Sequence, residues 1–294
     1  MAQALVKHLA ALRMEVEHLD GRTSIEPYCG GVFTIFGHGN VAGMGEALVA
    51  ERERLTTYRA HNEQTMAHAA IAFAKAQFRQ RIMAVSTSIG PGATNLVTAA
   101  AVAHVNRLPV LLLPGDVFAT RRPDPVLQQI ESFGQGDVSA SDCFRPVTRY
   151  FDRLTRPEHI LTALPRAIQT MTDPANCGPA CLSLPQDVQA MAFHCPEDFL
   201  NPGVLRFRRP PADERELANA IALLRTAQRP LIVAGGGVLY SQAWAALRAF
   251  AEAHGVPVVE SHGGKSSLPW DHPLNLGAIG VDGVSWANDM AREA

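Results

Sequence analysis

The sequence contains no pair of cysteines in a CxxC arrangement. Its five cysteines (Cys29, Cys143, Cys177, Cys181 and Cys195) are odd in number and irregular in spacing. Cys177 and Cys181 flank a Gly-Pro break, so they do not share a helix face. A disulfide framework or a zinc site is therefore not expected, and free thiols in a reducing cytoplasm are. No long basic run occurs and the formal net charge is −2. This argues against nucleic acid or an anionic membrane surface as the main partner. No apolar stretch is long enough to span a bilayer. The alanine-rich N-terminus is interrupted by Lys7, His8, Arg13, Glu15 and Glu17, so it lacks the core of a signal peptide. Several catalytic signatures are missing too. There is no Gly-Lys-Ser/Thr of a P-loop, no GxGxxG, no GxSxG around Ser86 or Ser88, and no HExxH near His61 and His68.

What is present is a regular alternation. With 294 residues and 47% apolar residues, the chain can fill one large or two medium cores. A helix pattern covers Ala2 to about Glu17. Strand-like runs at Gly31–Phe36, Leu55–Tyr58, Arg81–Thr87, Pro109–Pro114 and Pro179–Leu184 alternate with helix patterns at Met44–Glu53, Glu63–Gln77, Ala93–His104 and Pro157–Met171. The continuous apolar run at Pro109–Pro114 suits a strand buried on both faces. This rhythm predicts a parallel sheet with helices on both sides. The stretch from Asp116 to about Asp142 is long, polar and broken by Pro and Gly, a composition common in functional loops. A segment rich in Pro and Arg at 196–212 reads as a linker. A second β/α pattern follows over 213–294, with Asp213 as helix N-cap and two strong strands, Leu231–Ala234 and Val256–Val259. A two-stranded sheet is too small to bury a core, so this second, Rossmann-like domain reads as incomplete.

Two segments carry candidate chemistry. In the first, Asn62-Glu63-Gln64 opens an alanine-rich helix. A carboxylate there is stabilised by free backbone N–H groups and the helix dipole, which alone explains it. The second, Gly90-Pro91-Gly92-Ala93-Thr94-Asn95, turns from a strand into a helix and offers close backbone approach, although a tight turn explains it equally well. His38 and Asn40 follow the first strand of the sheet, at the edge where open α/β sheets bind ligands. A solvated loop histidine is an equal alternative. Gly235-Gly236-Gly237 lacks dinucleotide spacing and reads as turn packing.

Taken in order, these segments resemble the acetolactate synthase-like superfamily of thiamine diphosphate (ThDP) enzymes. Glu63 with Gln64 and Ala67, then Gly90 to Asn95, resemble its pyrimidine-binding domain. Gly178-Pro179 and Leu184-Pro185-Gln186-Asp187-Val188 resemble that domain's end. Arg229-Pro230-Leu231, Gly235-Gly236-Gly237 and Gly264-Lys265-Ser266 with His272-Pro273-Leu274 resemble its central domain. Phe36-Gly37-His38-Gly39-Asn40, Arg122-Pro123-Asp124-Pro125, Val126-Leu127-Gln128-Gln129 and Tyr150-Phe151-Asp152-Arg153 resemble one branch, the trihydroxycyclohexane-1,2-dione hydrolases of myo-inositol catabolism.

The resemblance implies a pyrimidine-binding domain at 1–195, a linker at 196–212 and a truncated central domain at 213–294. It implies that Glu63 is catalytic, bonding the aminopyrimidine N1′ and favouring the tautomer that takes the C2 proton. It also implies cofactor contacts at Gly37, Gly90, Pro91 and Asn95. His38, Asn40, Gln129 and Gln135 are candidate substrate contacts. The substrate would be a small cyclic 1,2-diketone whose C–C bond is cleaved by water. Family members form dimers or tetramers and hold the diphosphate through Mg²⁺ in a C-terminal domain marked by Gly-Asp-Gly and a later Asn. No such motif occurs in these 294 residues. The chain is therefore expected to supply no metal ligands and to be inactive alone. Two alternatives stay open: an acetolactate synthase-like carboligase or decarboxylase, and a non-catalytic binding chain.

Overall fold

A computed structural model describes residues 1–136 and 138–294, with the side chain of Gln135 left out. It divides into two compact units, Met1–Arg208 and Arg209–Ala294.

The first unit opens with a helix at Ala2–Ala11, followed by strands β1 (Arg13–Glu17) and β2 (Thr23–Pro27). Here the structure corrects the helix expected over Ala2–Glu17. Leu12 is already extended, at φ −66° and ψ 129°. Beyond it, Arg13-Met14-Glu15-Val16-Glu17 alternates with period two, which puts Met14 and Val16 on one buried face. Arg, Met and Glu are good helix formers, but the preference is worth only about a few tenths of a kcal/mol per residue, and burial of that face outweighs it. β1 pairs antiparallel with β2.

The main sheet follows. β3 (Cys29–Thr34), β4 (Thr57–Arg59), β5 (Ile82–Thr87), β6 (Leu111–Asp116), β7 (Tyr150–Arg153) and β8 (Ala180–Pro185) are all parallel, in the spatial order β4-β3-β5-β6-β8-β7. Of the four interior strands, β5, β6 and β8 are buried along their whole length, as suits a sheet covered on both faces, and β3 is buried along most of its length. On one face Ile82, Ala84, Leu111, Leu113, Leu182 and Leu184 join a core with the helices Ala2–Ala11, Glu46–Ala50 and Ile160–Thr172. Each fully buried aliphatic side chain contributes about 1.5–3 kcal/mol. Helix Glu63–Ala76 packs on β3 and β5 and touches helix Val97–Val105. The chain runs from β3 out to β4, then crosses back to β5 on the other side of β3. The direction of winding therefore reverses between β3 and β5.

The stretch expected to be a linker at 196–212 is mostly part of this unit. Glu197–Leu200 is helical with Phe199 buried, and β9 (Val204–Leu205) adds to β1 in parallel. The division falls at Arg208/Arg209.

The second unit contains β10 (Ile232–Ala234), β11 (Val258–Glu260) and β12 (Asn275–Ala278), parallel and in that order. The third strand was not expected, because Asn275-Leu276-Gly277-Ala278 has little β propensity. Asp213 does cap its helix, accepting from the backbone N–H groups of Arg215 and Glu216. That helix, Glu214–Thr226, buries no residue and exposes Leu217, Ile221 and Leu224. Of the glycines after β10 only Gly236 is closely packed, a Cβ there lying 3.2 Å from the Gly263 carbonyl oxygen, whereas one on Gly237 would meet nothing within 4 Å; on the facing turn a Cβ on Gly264 would lie 2.1 Å from the Ala234 carbonyl oxygen. No helix among the described residues is long and apolar enough to cross a membrane.

His8 lies in the first helix, 4% exposed, with Nδ1 2.6 Å from the carbonyl oxygen of Phe199, to which it donates. Burial lowers its pKa below the usual 6.5, the carbonyl contact opposing this only in part. The folded protein thus disfavours the imidazolium, whereas the unfolded chain accepts a proton near pH 6.5. Folding stability should hold above about pH 6.5 and fall as pH drops below it. In melting temperatures measured from pH 7.5 to 5, His8→Leu should flatten this acid slope. An unchanged slope would remove His8 as its source.

Candidate active site

The reversal between β3 and β5 leaves a crevice outside their carboxyl ends, where the first loop must leave on one side and the second on the other. The structure brings these two loops together backbone to backbone. The Ile89 N–H donates to the His38 carbonyl (3.0 Å). A Cβ on Gly37 would lie 3.0 Å from the Ser88 Cβ, and one on Gly39 (φ +100°) 2.2 Å from the Ile89 side chain. The end of β6 joins them, since a Cβ on Gly115 would lie 2.9 Å from the Gly39 carbonyl oxygen.

Next to this junction is an open cleft of about 540 Å³, lined by Glu63, Ser88, Pro91, Gly92, Thr94, Asn95 and Gln128. Glu63 reaches it because Asn62 caps the helix, its Oδ1 accepting from the Thr65 N–H (2.9 Å). Glu63 is then the first helical residue, half-buried at the cleft wall. Gly90 (φ +58°) makes the turn after β5, and Pro91 starts the short helix Pro91–Thr94. That turn delivers Asn95, whose Nδ2 donates to Glu63 Oε2 (2.8 Å). The other carboxylate oxygen, Oε1, makes no hydrogen bond among the described residues. It faces Gly92, where a Cβ would come within 3.3 Å of it and 2.6 Å of Ser88 Oγ. The site thus presents a carboxylate fixed through one oxygen, with the other directed into space that a side chain at position 92 would narrow.

The long segment after β6 forms the far wall. It is held at several points. Asp187 accepts from the backbone N–H groups of Ala119 (2.9 Å) and Thr120 (3.1 Å). Glu131 accepts from the Ala140 N–H. At its return, Ser139 donates to Asp116, a 2% exposed carboxylate at the end of β6. Asp116 also accepts from Ser183 Oγ (2.6 Å) and Arg153 Nε (2.7 Å). Between these anchors the Gln128 carbonyl sits over Gly90, where a Cβ would come within 2.1 Å of its oxygen. The Gln128 side chain enters the cleft, its Oε1 accepting from Ser88 Oγ (3.3 Å).

Of the residues singled out from the sequence, Glu63, Pro91 and Asn95 line the cleft, and Gly90 makes the turn that forms it. Gly37 lies behind Ser88 and donates its N–H to Asn40 Oδ1 (2.9 Å). Asn40 is 1% exposed, and its amide also bonds the Ile35 carbonyl and Ser86 Oγ, so it braces the loop. His38 is exposed on that loop. Gln129 is turned into its own loop: its amide donates to Asp124 (2.6 Å) and to the Glu131 carbonyl, and its Oε1 accepts from the Val126 N–H. The side chain of Gln135 lies outside the described residues. Gly92 and Thr94, from the same candidate turn, line the cleft too, as do Ser88 and Gln128, which had not been named as site residues. The sequence places Gln128 and Gln129 side by side, and only the turn between them decides which one faces inward.

Among the described residues no group of three or more His, Cys, Asp or Glu is arranged to hold a metal. Burial pushes the thiols of Cys29 and Cys177 up to about 11, which keeps both protonated and unreactive at neutral pH.

A carboxylate at the carboxyl edge of a parallel sheet that winds both ways, beside a glycine turn, defines the class: an α/β protein with an open cleft at its sheet edge. The comparisons with known proteins place it further. Residues 30–135 match the family model of the thiamine pyrophosphate enzyme N-terminal TPP binding domain, and residues 217–294 match that of the central domain of the same enzymes. The chain belongs to the thiamine pyrophosphate enzymes. It is 49% identical to the 3D-(3,5/4)-trihydroxycyclohexane-1,2-dione hydrolase of Shouchella clausii, over the whole of this chain and 45% of that protein. The proteins of that name from Bacillus subtilis and Clostridium tetani are 47% and 46% identical over the same shares. The chain thus spans about half the length of the curated relatives it matches.

Two substitutions test the geometry. Gly90→Ala forces a side chain into the left-handed region against the Gln128 carbonyl and should cost about 1–3 kcal/mol. Arg153→Ala leaves the buried Asp116 carboxylate without its cation and should cost about 3 kcal/mol. Denaturant titration reads both, and wild-type midpoints would refute the packing described.

Proposed function

We propose that the cleft is the pyrimidine half of a thiamine diphosphate site. The observation carrying this reading is the Glu63 carboxylate, anchored by Asn95 through one oxygen with the other directed at the cleft. An aminopyrimidine fits this donor set. Its ring nitrogen suits a carboxyl oxygen that shares a proton, and the flat ring suits a wall made of Pro91 and Gly92. The cofactor, when bound, supplies the acidic thiazolium carbon on which carbonyl chemistry of this class depends. The protein's part is proton handling. Glu63 holds or releases one proton at Oε1. Asn95 keeps that oxygen aimed by bonding the other. Gly90 and Pro91 set the turn, and Gly37 lets the β3 loop lie flat behind Ser88.

The reading extends to the activity of the relatives. In a complete enzyme this half-site would serve hydrolytic cleavage of a C–C bond in a small cyclic 1,2-diketone, in inositol catabolism. The identity of 46–49% across the whole chain supports it. The diphosphate and its Mg²⁺ would be held outside residues 1–294, by oxygen ligands. The domain assignment of 1–195, 196–212 and 213–294 is proposed with the linker shortened to the residues after Arg208. A homo-oligomer and a cytoplasmic location are part of the same reading, the latter supported by five cysteines that are all free thiols.

Thiamine, which carries the pyrimidine without the diphosphate, tests the site. It should bind the chain weakly by calorimetry or saturation-transfer NMR, and Glu63→Ala should weaken it about tenfold or more, the worth of a charge-assisted hydrogen bond. Equal binding by wild type and variant would remove Glu63 from the site.

A further inference from the structure

We propose that the short helix Gln186–Ala190, at the carboxyl end of β8, couples the loop after β3 to the long segment after β6, so that the two sides of the cleft are set together. Gln189 and Asp187 are its positioning residues. Neither lines the cleft, and each holds a segment that shapes it. The consequence for a bound ligand rests on the pyrimidine reading of the cleft; the coupling itself does not.

Three observations carry the inference. The first is the Gln189 side chain, which is 3% exposed and has both N–H groups and its carbonyl engaged. The amide donates to the Gly39 carbonyl and to the Leu184 carbonyl (2.8 Å), and Oε1 accepts from the Met44 N–H (3.2 Å). A buried amide bonded in this way specifies one arrangement, because moving any partner leaves buried polar atoms unpaired. Gly43 makes room for it, since a Cβ there would lie 2.4 Å from the Gln189 Cβ. The β3 loop is thereby tied to the end of β8. It is the loop whose His38 carbonyl accepts from the Ile89 N–H, directly before the Gly90 turn.

The second is Asp187. Its carboxylate holds the start of the far wall, accepting from the N–H groups of Ala119 and Thr120 and from Thr120 Oγ1 (3.0 Å). The third is the spacing of the two residues. Successive helical residues are turned by about 100°, so positions two apart point to nearly opposite sides. Asp187 and Gln189 are two apart in one five-residue helix, and Val188 between them is buried in the core. One short, seated segment therefore reaches the β6 loop with one side chain and the β3 loop with the other. Displacing either loop turns the helix and strains the other attachment, and such coupling is reciprocal.

Native-state hydrogen exchange on the chain tests this. The Ile89 and Ala119 amide protons report the two loops, and that of Leu112, in the middle of the sheet, reports global opening. Asp187→Asn keeps the size of the side chain and disturbs only the far wall directly. It should speed exchange at Ala119 and also, through the helix, at Ile89, each by about tenfold relative to Leu112. Gln189→Met keeps the length of the side chain, removes its three bonds and disturbs only the β3 loop directly. It should speed exchange at Ile89 and also at Ala119 by a similar factor. Faster exchange confined to the loop that each variant touches would overturn the coupling and leave two independent anchors. If Gln189→Met does not fold, Asp187→Asn decides alone, through Ile89. Thiamine affinity should fall about fivefold in both variants. Affinity within twofold of wild type in both would overturn the positioning role. A wild-type chain that does not bind thiamine counts against the pyrimidine reading, while the exchange rates still decide the coupling.

Discussion

The site depends on the close approach of three strand ends. β3, β5 and β6 end in loops that touch through backbone atoms, and Gly39 and Gly115 are where that contact leaves no room for a Cβ. The contact follows from topology. A parallel sheet that winds both ways must part its loops at the reversal, and the parting leaves a concave edge. Here the His38–Ile89 backbone hydrogen bond keeps the loops at a fixed spacing. The cleft hangs from that edge: the Gly90 turn follows Ile89, and the Asn95 amide follows the turn. Glu63 meets them because the neighbouring edge strand, β4, hands the chain to its helix at the same end of the sheet.

A second, buried constraint fixes the far wall. Asp116 ends β6 and gathers Ser139, Ser183 and Arg153 from three other segments. Taking a carboxylate out of water is costly unless it is paired and its lone pairs are filled, and here both conditions are met. The arrangement forces the long segment to return to the sheet at Ser139, so the residues between are held over the Gly90 turn. A polar cluster of this kind specifies one arrangement of the loop more than it adds to overall stability. Gln128 sits at φ +66°, a strain tolerated because both ends of its loop are held in this way.

Much of this was readable from residue order. The apolar runs at β5, β6 and β8 located the interior of the sheet, because only strands covered on both faces are apolar throughout. Asn62-Glu63 and the Gly-Pro-Gly turn located the two halves of the cleft, because capping and positive φ have strong local signatures. Other features had none. Arg13–Glu17 is built from residues at home in helices, and its role as a strand depends on pairing with β2. β12 is short and polar and is recognisable only beside β11. Asn40 and Gln129 had the right chemistry and neighbourhood for a ligand, but their hydrogen bonds are spent on their own loops. Gln128 gave no signal apart from Gln129, since which of two adjacent glutamines faces a cleft is decided by a backbone turn that composition does not encode.

In the proposed site, Glu63 Oε1 meets the ring of an aminopyrimidine. A crystal structure of the chain grown with thiamine diphosphate tests it most directly. The pyrimidine ring should lie between Glu63 and the Gly90–Asn95 turn, with a ring nitrogen within hydrogen-bond distance of Oε1 and the Asn95 bond to Oε2 retained. A ring bound elsewhere, or one in this cleft with Glu63 turned away from it, would contradict a pyrimidine role for Glu63.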